Sequence, residues 1–145
     1  MSDAPSTIAF VACDETLKAA IGEQYDEASE RHVRLADDCS FVAMEGDRVV
    51  GFVSVYARPL PPPLSEFVEG YINVIAVCES RRRRGIARRL LDLCIERGRS
   101  LGFCQLRGWS SDDKLEAIPM WRALGFGISP VTDREVNGVF SVLAL

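Results

Sequence analysis

Residues 71–102 read YINVIAVCESRRRRGIARRLLDLCIERGRSLG. An apolar strand, Tyr71–Val77, runs into four consecutive arginines and a glycine, and an amphipathic helix follows at once. Beyond Gly85, the residues Ile86, Leu90, Leu91, Cys94, Ile95 and Leu101 recur at three- and four-residue spacing on one side. Arg88, Arg89, Asp92, Glu96 and Arg99 mostly take the other. A strand feeding a glycine turn that opens a helix is a recurrent way to hold a phosphate. The first helical N–H groups have no partner inside the helix, and that end carries partial positive charge. Gly85 lets backbone approach an anion without a side chain in the way, and arginine forks add charge-assisted bonds.

The charge is unevenly divided. Residues 81–99 hold eight arginines against Asp92 and Glu96, a net of +6, while the other positions carry nine basic and nineteen acidic groups, a net of −10. A basic spot on an acidic body suggests one local polyanion rather than a nucleic-acid track. No aromatic residue is interleaved with the arginines, as single-strand binding would want. The acidic remainder favours a cationic second substrate.

At 145 residues, 48% apolar and 26% charged, the chain reads as one globular domain, residues 1–145, able to bury a real core. No run approaches the ~18 apolar residues of a spanning helix, so no membrane partner is expected. The start, MSDAPST, lacks a secretory plan. Five cysteines form no C-x-x-C pair and there is one histidine, His32. Reduced thiols, a cytoplasmic location and no metal site are the expectation.

Outward from the central stretch, Thr7–Ala12 reads as a strand and Asp14 to about Asp38 as helical, with Asp14 as N-cap. Phe41–Met44 and Val49–Ala57 form a hairpin around Glu45-Gly46-Asp47. RPLPPPLSEF, residues 58–67, is a stiff proline loop. In Glu69–Val77 the even positions Ile72, Val74 and Ala76 are apolar, whereas Glu69, Tyr71 and Asn73 are polar. A central strand is usually apolar on both faces, so the polar half is expected to look into a cleft. Gly98 and Gly102 mark the fraying end of the helix after Gly85. Cys104–Trp109 is a strand and Ser110–Asp113 a loop. Leu115–Leu124 is a helix that Pro119 delays or kinks. A short strand near Ile128 and a final strand, Val136–Leu145, close the chain.

With that order in place, Arg82-Arg83-Arg84-Gly85-Ile86-Ala87 resembles the R/Q-x-x-G-x-G/A signature of the GNAT superfamily of acyl-CoA-dependent N-acetyltransferases. Ala117, Met120-Trp121 and Leu124-Gly125-Phe126 are similar to that family's A-x-x-L-Y-x-x-x-G-F segment. The resemblance implies an α/β fold with a central, twisted mixed sheet of about six to seven strands flanked by helices, and a V-shaped splay between the fourth and fifth strands. It implies acetyl-CoA as acyl donor, without metal. The pantetheine arm would lie along Ile75, Ala76 and Val77. The diphosphate would rest on the amides of Arg83 to Arg88, through Arg84, Gly85, Ile86 and Ala87, with Arg82 and Arg84 adding side chains. The acceptor would be a small-molecule or peptide amine. The family often dimerises, so a homodimer is one option.

Acetyl transfer to an amine needs a donor for the oxyanion and a group to receive the amine proton. The resemblance makes the Val77 amide the oxyanion donor. It puts Tyr71 where relatives often carry a glutamate base, with Glu69 one pleat earlier, and both stay open as the base. Trp121 stands where many relatives have a tyrosine acid, and indole cannot usefully surrender its proton. Lys114 replaces a common asparagine. These departures admit a second reading, a non-catalytic acyl-CoA-binding regulatory module, and the arginines a third, nucleic-acid binding. Ser110 and Ser111 read as loop residues and Cys78 as structural.

Overall fold

Among the described residues, seven strands and four α-helices follow in the order β1 (Ile8–Ala12), α1 (Glu15–Gln24), α2 (Glu27–His32), β2 (Ser40–Glu45), β3 (Arg48–Pro59), β4 (Val68–Val77), α3 (Ile86–Leu101), β5 (Gln105–Ser111), α4 (Ile118–Ala123), β6 (Gly127–Val131) and β7 (Gly138–Ala144). They are seen in a computed structural model that describes residues 7–111, 117–131 and 137–145. The sheet runs β1-β2-β3-β4-β5-β7-β6. β4 and β5 pair in parallel, while the β1–β2, β2–β3, β5–β7 and β6–β7 pairs are antiparallel. The expected mixed sheet flanked by helices is therefore present. Among the described residues no helix is long and apolar enough to cross a membrane.

Two compact units make up the chain, one of residues 1–56 and 73–94, the other of 57–72 and 95–145. The first is organised around Ile21, Val33, Val42, Val49 and Phe52, all essentially solvent-free, with Leu17, Tyr25, Val74 and Ala76 packed against them. The Tyr25 ring meets Phe52 edge-on at 4.9 Å and its hydroxyl donates to the Val49 carbonyl at 3.0 Å. On α3, Ile86, Leu90 and Leu91 are buried, each contributing roughly 1.5–3 kcal/mol. Cys39 and Cys94 are buried free thiols. The Cys39 hydrogen bond and burial together push the Cys94 thiol well up, so it stays protonated and acts as a small hydrophobe. In the second unit, Ile72, Phe103, Leu106, Trp121, Phe126 and Val139 are buried.

Several sequence expectations need adjustment. The helical pattern over 14–38 is two helices, because Asp26 starts a new one by accepting from the Ser29 amide at 2.6 Å. Asp14 caps the first as expected, accepting from Leu17 N–H at 2.8 Å. Gly98 lies inside α3 rather than at its end: a Cβ there would stand 3.0 Å from the Phe103 side chain and 3.1 Å from that of Leu145, so any larger residue would have to displace them slightly. Gly102, at φ +83°, does terminate the helix. Leu101 is 41% exposed instead of joining the buried stripe. β5 continues to Ser111 because β7 pairs with it through Ser111–Gly138. Pro119 falls in the first turn of α4, the late start that proline allows. Lys114 and Val136 lie outside the described residues.

Candidate active site

The turn between β4 and α3 is built by a succession of backbone devices. Cys78 N–H donates to the Val50 carbonyl at 2.9 Å, and a single 3₁₀ turn, Glu79–Arg81, follows. Arg81 is then clamped by Glu45, Nε to Oε2 at 3.0 Å and Nη2 to Oε1 at 2.5 Å. These bonds hold the Glu45 carboxyl below the usual carboxylate range and take Arg81 out of ligand binding. Arg82 is extended and its Nε donates to the Val77 carbonyl at 3.3 Å. Arg83 adopts φ +65° and Gly85 φ +75°. Left-handed residues set among ordinary ones turn successive N–H groups toward one side and form an anion-binding concavity. The first α3 bond runs from Arg89 N–H to the Gly85 carbonyl at 3.0 Å, so the amides of Gly85, Ile86 and Ala87 precede the helical ladder. Arg82, Arg83, Arg84, Gly85 and Arg88 are exposed, and Ile75, Ala76 and Val77 are half-buried.

The β4–β5 ladder comprises the pairs Gly70–Leu106, Tyr71–Arg107 and Ile72–Gly108 and goes no further, although β4 continues to Val77 and β5 to Ser111. This is the expected splay between the fourth and fifth strands. Asn73 Nδ2 donates to the His32 carbonyl at the end of α2, at 2.8 Å.

Glu69 and Tyr71 share a strand but meet different surroundings. Glu69 is fully buried. Gln105 Nε2 donates to its Oε1 at 3.0 Å, Arg107 Nη2 donates to Oε2, and Arg58 Nε lies 3.4 Å from Oε2. It faces no open cleft, contrary to the alternation reading. A buried carboxylate must be paired, and these partners occupy its lone pairs. The guanidinium of Arg58 sits 4.2 Å from the centre of the Tyr71 ring, and that of Arg107 sits 6.0 Å away.

Trp121 is 3% exposed, its ring 4.9 Å from that of Phe126 and against Gly108, where a Cβ would meet it at 3.4 Å. Its Nε1 donates to Ser110 Oγ at 3.3 Å. The indole is thus a core side chain whose one donor is already committed, and Ser110 is a buried strand residue rather than part of a loop.

Arg58 and Arg107 went unread as site residues. The available signal was Glu69 itself, since a carboxylate in a central strand demands cationic partners. Those partners stand eleven residues upstream and thirty-eight downstream, at distances in sequence that no local pattern reports.

A sequence model of the acetyltransferase (GNAT) family matches residues 9–126. No curated protein matches the chain significantly. Among solved structures, the NatC complex bound to Gag peptide and CoA is similar at TM-score 0.76 and 17% identity, covering 95% of this chain and 98% of that one. The ribosomal-protein-S18-alanine N-acetyltransferase of Escherichia coli gives TM-score 0.70 and 18% identity, covering 95% and 94%. Arabidopsis thaliana NAA60 in complex with acetyl-CoA gives TM-score 0.71 and 16% identity, covering 96% and 100%. The motif around Gly85, the splayed parallel pair and the match over residues 9–126 agree: the chain belongs to the acetyltransferase (GNAT) family.

Proposed function

We propose that the protein transfers an acetyl group from acetyl-CoA to a primary amine, by direct attack with both substrates bound. The observation that carries this reading is the left-handed turn at Arg83 and Gly85, opening α3 directly after β4. Three solved relatives of the same fold add support, being described as bound to CoA, as an N-acetyltransferase and as bound to acetyl-CoA. Acetyl-CoA supplies an activated acyl carbon. The amides of residues 83–88 hold its diphosphate, Arg82 and Arg84 neutralise it, and the Ile75–Val77 backbone lies along the pantetheine. The Val77 N–H stabilises the oxyanion as the new C–N bond forms. The C–S bond then breaks, and the thiolate takes its proton from water.

The ammonium form of an alkylamine, with a pKa near ~10.4, must lose its proton first. Tyr71 is our choice to position, through its hydroxyl, the water molecule that takes this proton and passes it to solvent. Glu69, the other candidate base, is committed to two guanidiniums and an amide, and we assign it to positioning. Measured over an amine panel, kcat should rise with pH, and Tyr71→Phe should shift or flatten that limb while lowering kcat about 10- to 100-fold. An unchanged profile would mean that bulk water takes the proton. Binding of acetyl-CoA without turnover of any amine would favour the regulatory module instead.

Trp121→Phe separates packing from chemistry. Trp121 is buried and donates only to Ser110, so the substitution is expected to cost about 1–2 kcal/mol of stability and to leave kcat within about threefold. A ~100-fold loss in folded protein with acetyl-CoA affinity intact would place the indole in the transition state.

A further inference from the structure

Within residues 57–72 and 95–145, one carboxylate serves two guanidiniums. Glu69, Arg58 and Arg107 together carry a net charge of +1. Both cations are held by flat aromatic faces, Arg58 at 4.2 Å from the Tyr71 centroid and Arg107 at 4.6 Å from that of Phe140, and such stacking fixes the plane of a guanidinium. Arg107 is deep, its side chain 16% exposed, and its Nε is buried without a hydrogen-bond partner. Arg58 reaches further out, at 34% exposed. Its Nε faces Glu69 at 3.4 Å, and its guanidinium plane rests on the Tyr71 ring.

Surplus charge in a half-buried place is costly. An arginine fork oriented by stacking and reaching toward solvent matches a carboxylate in a bidentate pair. The fork also lies on Tyr71, whose hydroxyl we place beside the acceptor amine.

We propose that the acceptor amine carries a carboxylate, which Arg58 binds through its terminal nitrogens while Arg107 and Glu69 hold the cluster in place. This rests on the acetyltransferase reading above and deepens it. The acidic body of the chain suits the ammonium of such an acceptor, and the local arginine suits its anionic end.

The carboxylate could be the α-carboxylate of an amino acid or the side chain of an acidic residue next to a peptide N-terminus. Paired acceptors distinguish them: glycine against glycinamide, and Ala-Asp-amide against Ala-Asn-amide. In at least one pair, kcat/KM for the acid should exceed that for its amide tenfold or more, through KM. Arg58→Gln should bring that ratio close to one, and Arg58→Lys should restore part of it, with the Kd for coenzyme A as the control reading. Equal rates on both pairs, or an Arg58→Gln loss shared by acid and amide alike, would overturn the proposal. If no amine turns over, the acetyltransferase reading fails separately. The site is then judged by titrating N-acetylglycine and N-acetyl-aspartate amide by NMR: binding that Arg58→Gln abolishes sustains it, and its absence from the parent protein overturns it.

Discussion

Gly85→Asp is expected to abolish the thermal stabilisation that coenzyme A gives the protein. At about 100 times its Kd, the ligand should add roughly 2.7 kcal/mol to the parent by mass action, a rise of roughly 6–10 °C for a chain of this size. Gly85 sits at φ +75°, and a Cβ built there meets nothing within 4 Å. The protein itself therefore has room for a side chain. An aspartate would bring its carboxylate to the concavity that the diphosphate fills, and both charge and bulk would oppose binding. Left-handed backbone costs a non-glycine residue about 1 kcal/mol or more, so some loss of apo stability is expected as well. Gly85→Asn controls for that loss, because asparagine tolerates the same conformation without the charge. The asparagine variant should keep a substantial part of the shift. Equal ligand stabilisation of the aspartate variant and the parent would remove the diphosphate from this turn.

Glu69→Ala should be the most damaging single truncation for stability. It leaves Arg107 in a buried position with neither its hydrogen bond nor its counter-charge, and it also deprives Arg58 and Gln105 of their acceptor. Removing one member of a buried pair typically costs 3–5 kcal/mol, here a drop in melting temperature on the order of 10 °C. Glu69→Gln keeps the shape and one acceptor oxygen and should fall between. A Glu69→Ala protein melting within about 2 °C of the parent would show that the cluster is well solvated. A catalytic base would behave differently: Glu69→Gln would leave the melting temperature nearly unchanged and remove the rising limb of kcat with pH. Thermal and kinetic readings on one variant thus separate positioning from proton transfer.

Where the chemistry is local in the chain, it was legible. The turn from Val77 to Ile86 needs a strand end, a glycine and a helix start within ten residues, and each leaves its own mark. Asp14 as a cap and Gly46 as a hairpin turn were readable for the same reason. The division of residues 14–38 into two helices rests on Asp26, whose capping geometry is hidden among acids that all look like surface. What escaped was non-local. Glu69 reads as a polar residue facing a cleft until Arg58 and Arg107 are brought to it from neighbouring strands. Ser110 reads as a loop residue until β7 extends the ladder past it and Trp121 donates to its hydroxyl. Of the four consecutive arginines, Arg81 is not among the expected coenzyme contacts, and what the sequence could not show is that Glu45 clamps it.

The left-handed backbone of Arg83 bears on how this turn can change over generations. Every arginine codon lies one base change from a glycine codon, and glycine at φ +65° would be free of the strain that arginine carries there. Relief is therefore within easy mutational reach. Arg83→Gly would release that strain and remove one cation from the turn, so local stability and local charge pull this position in opposite directions.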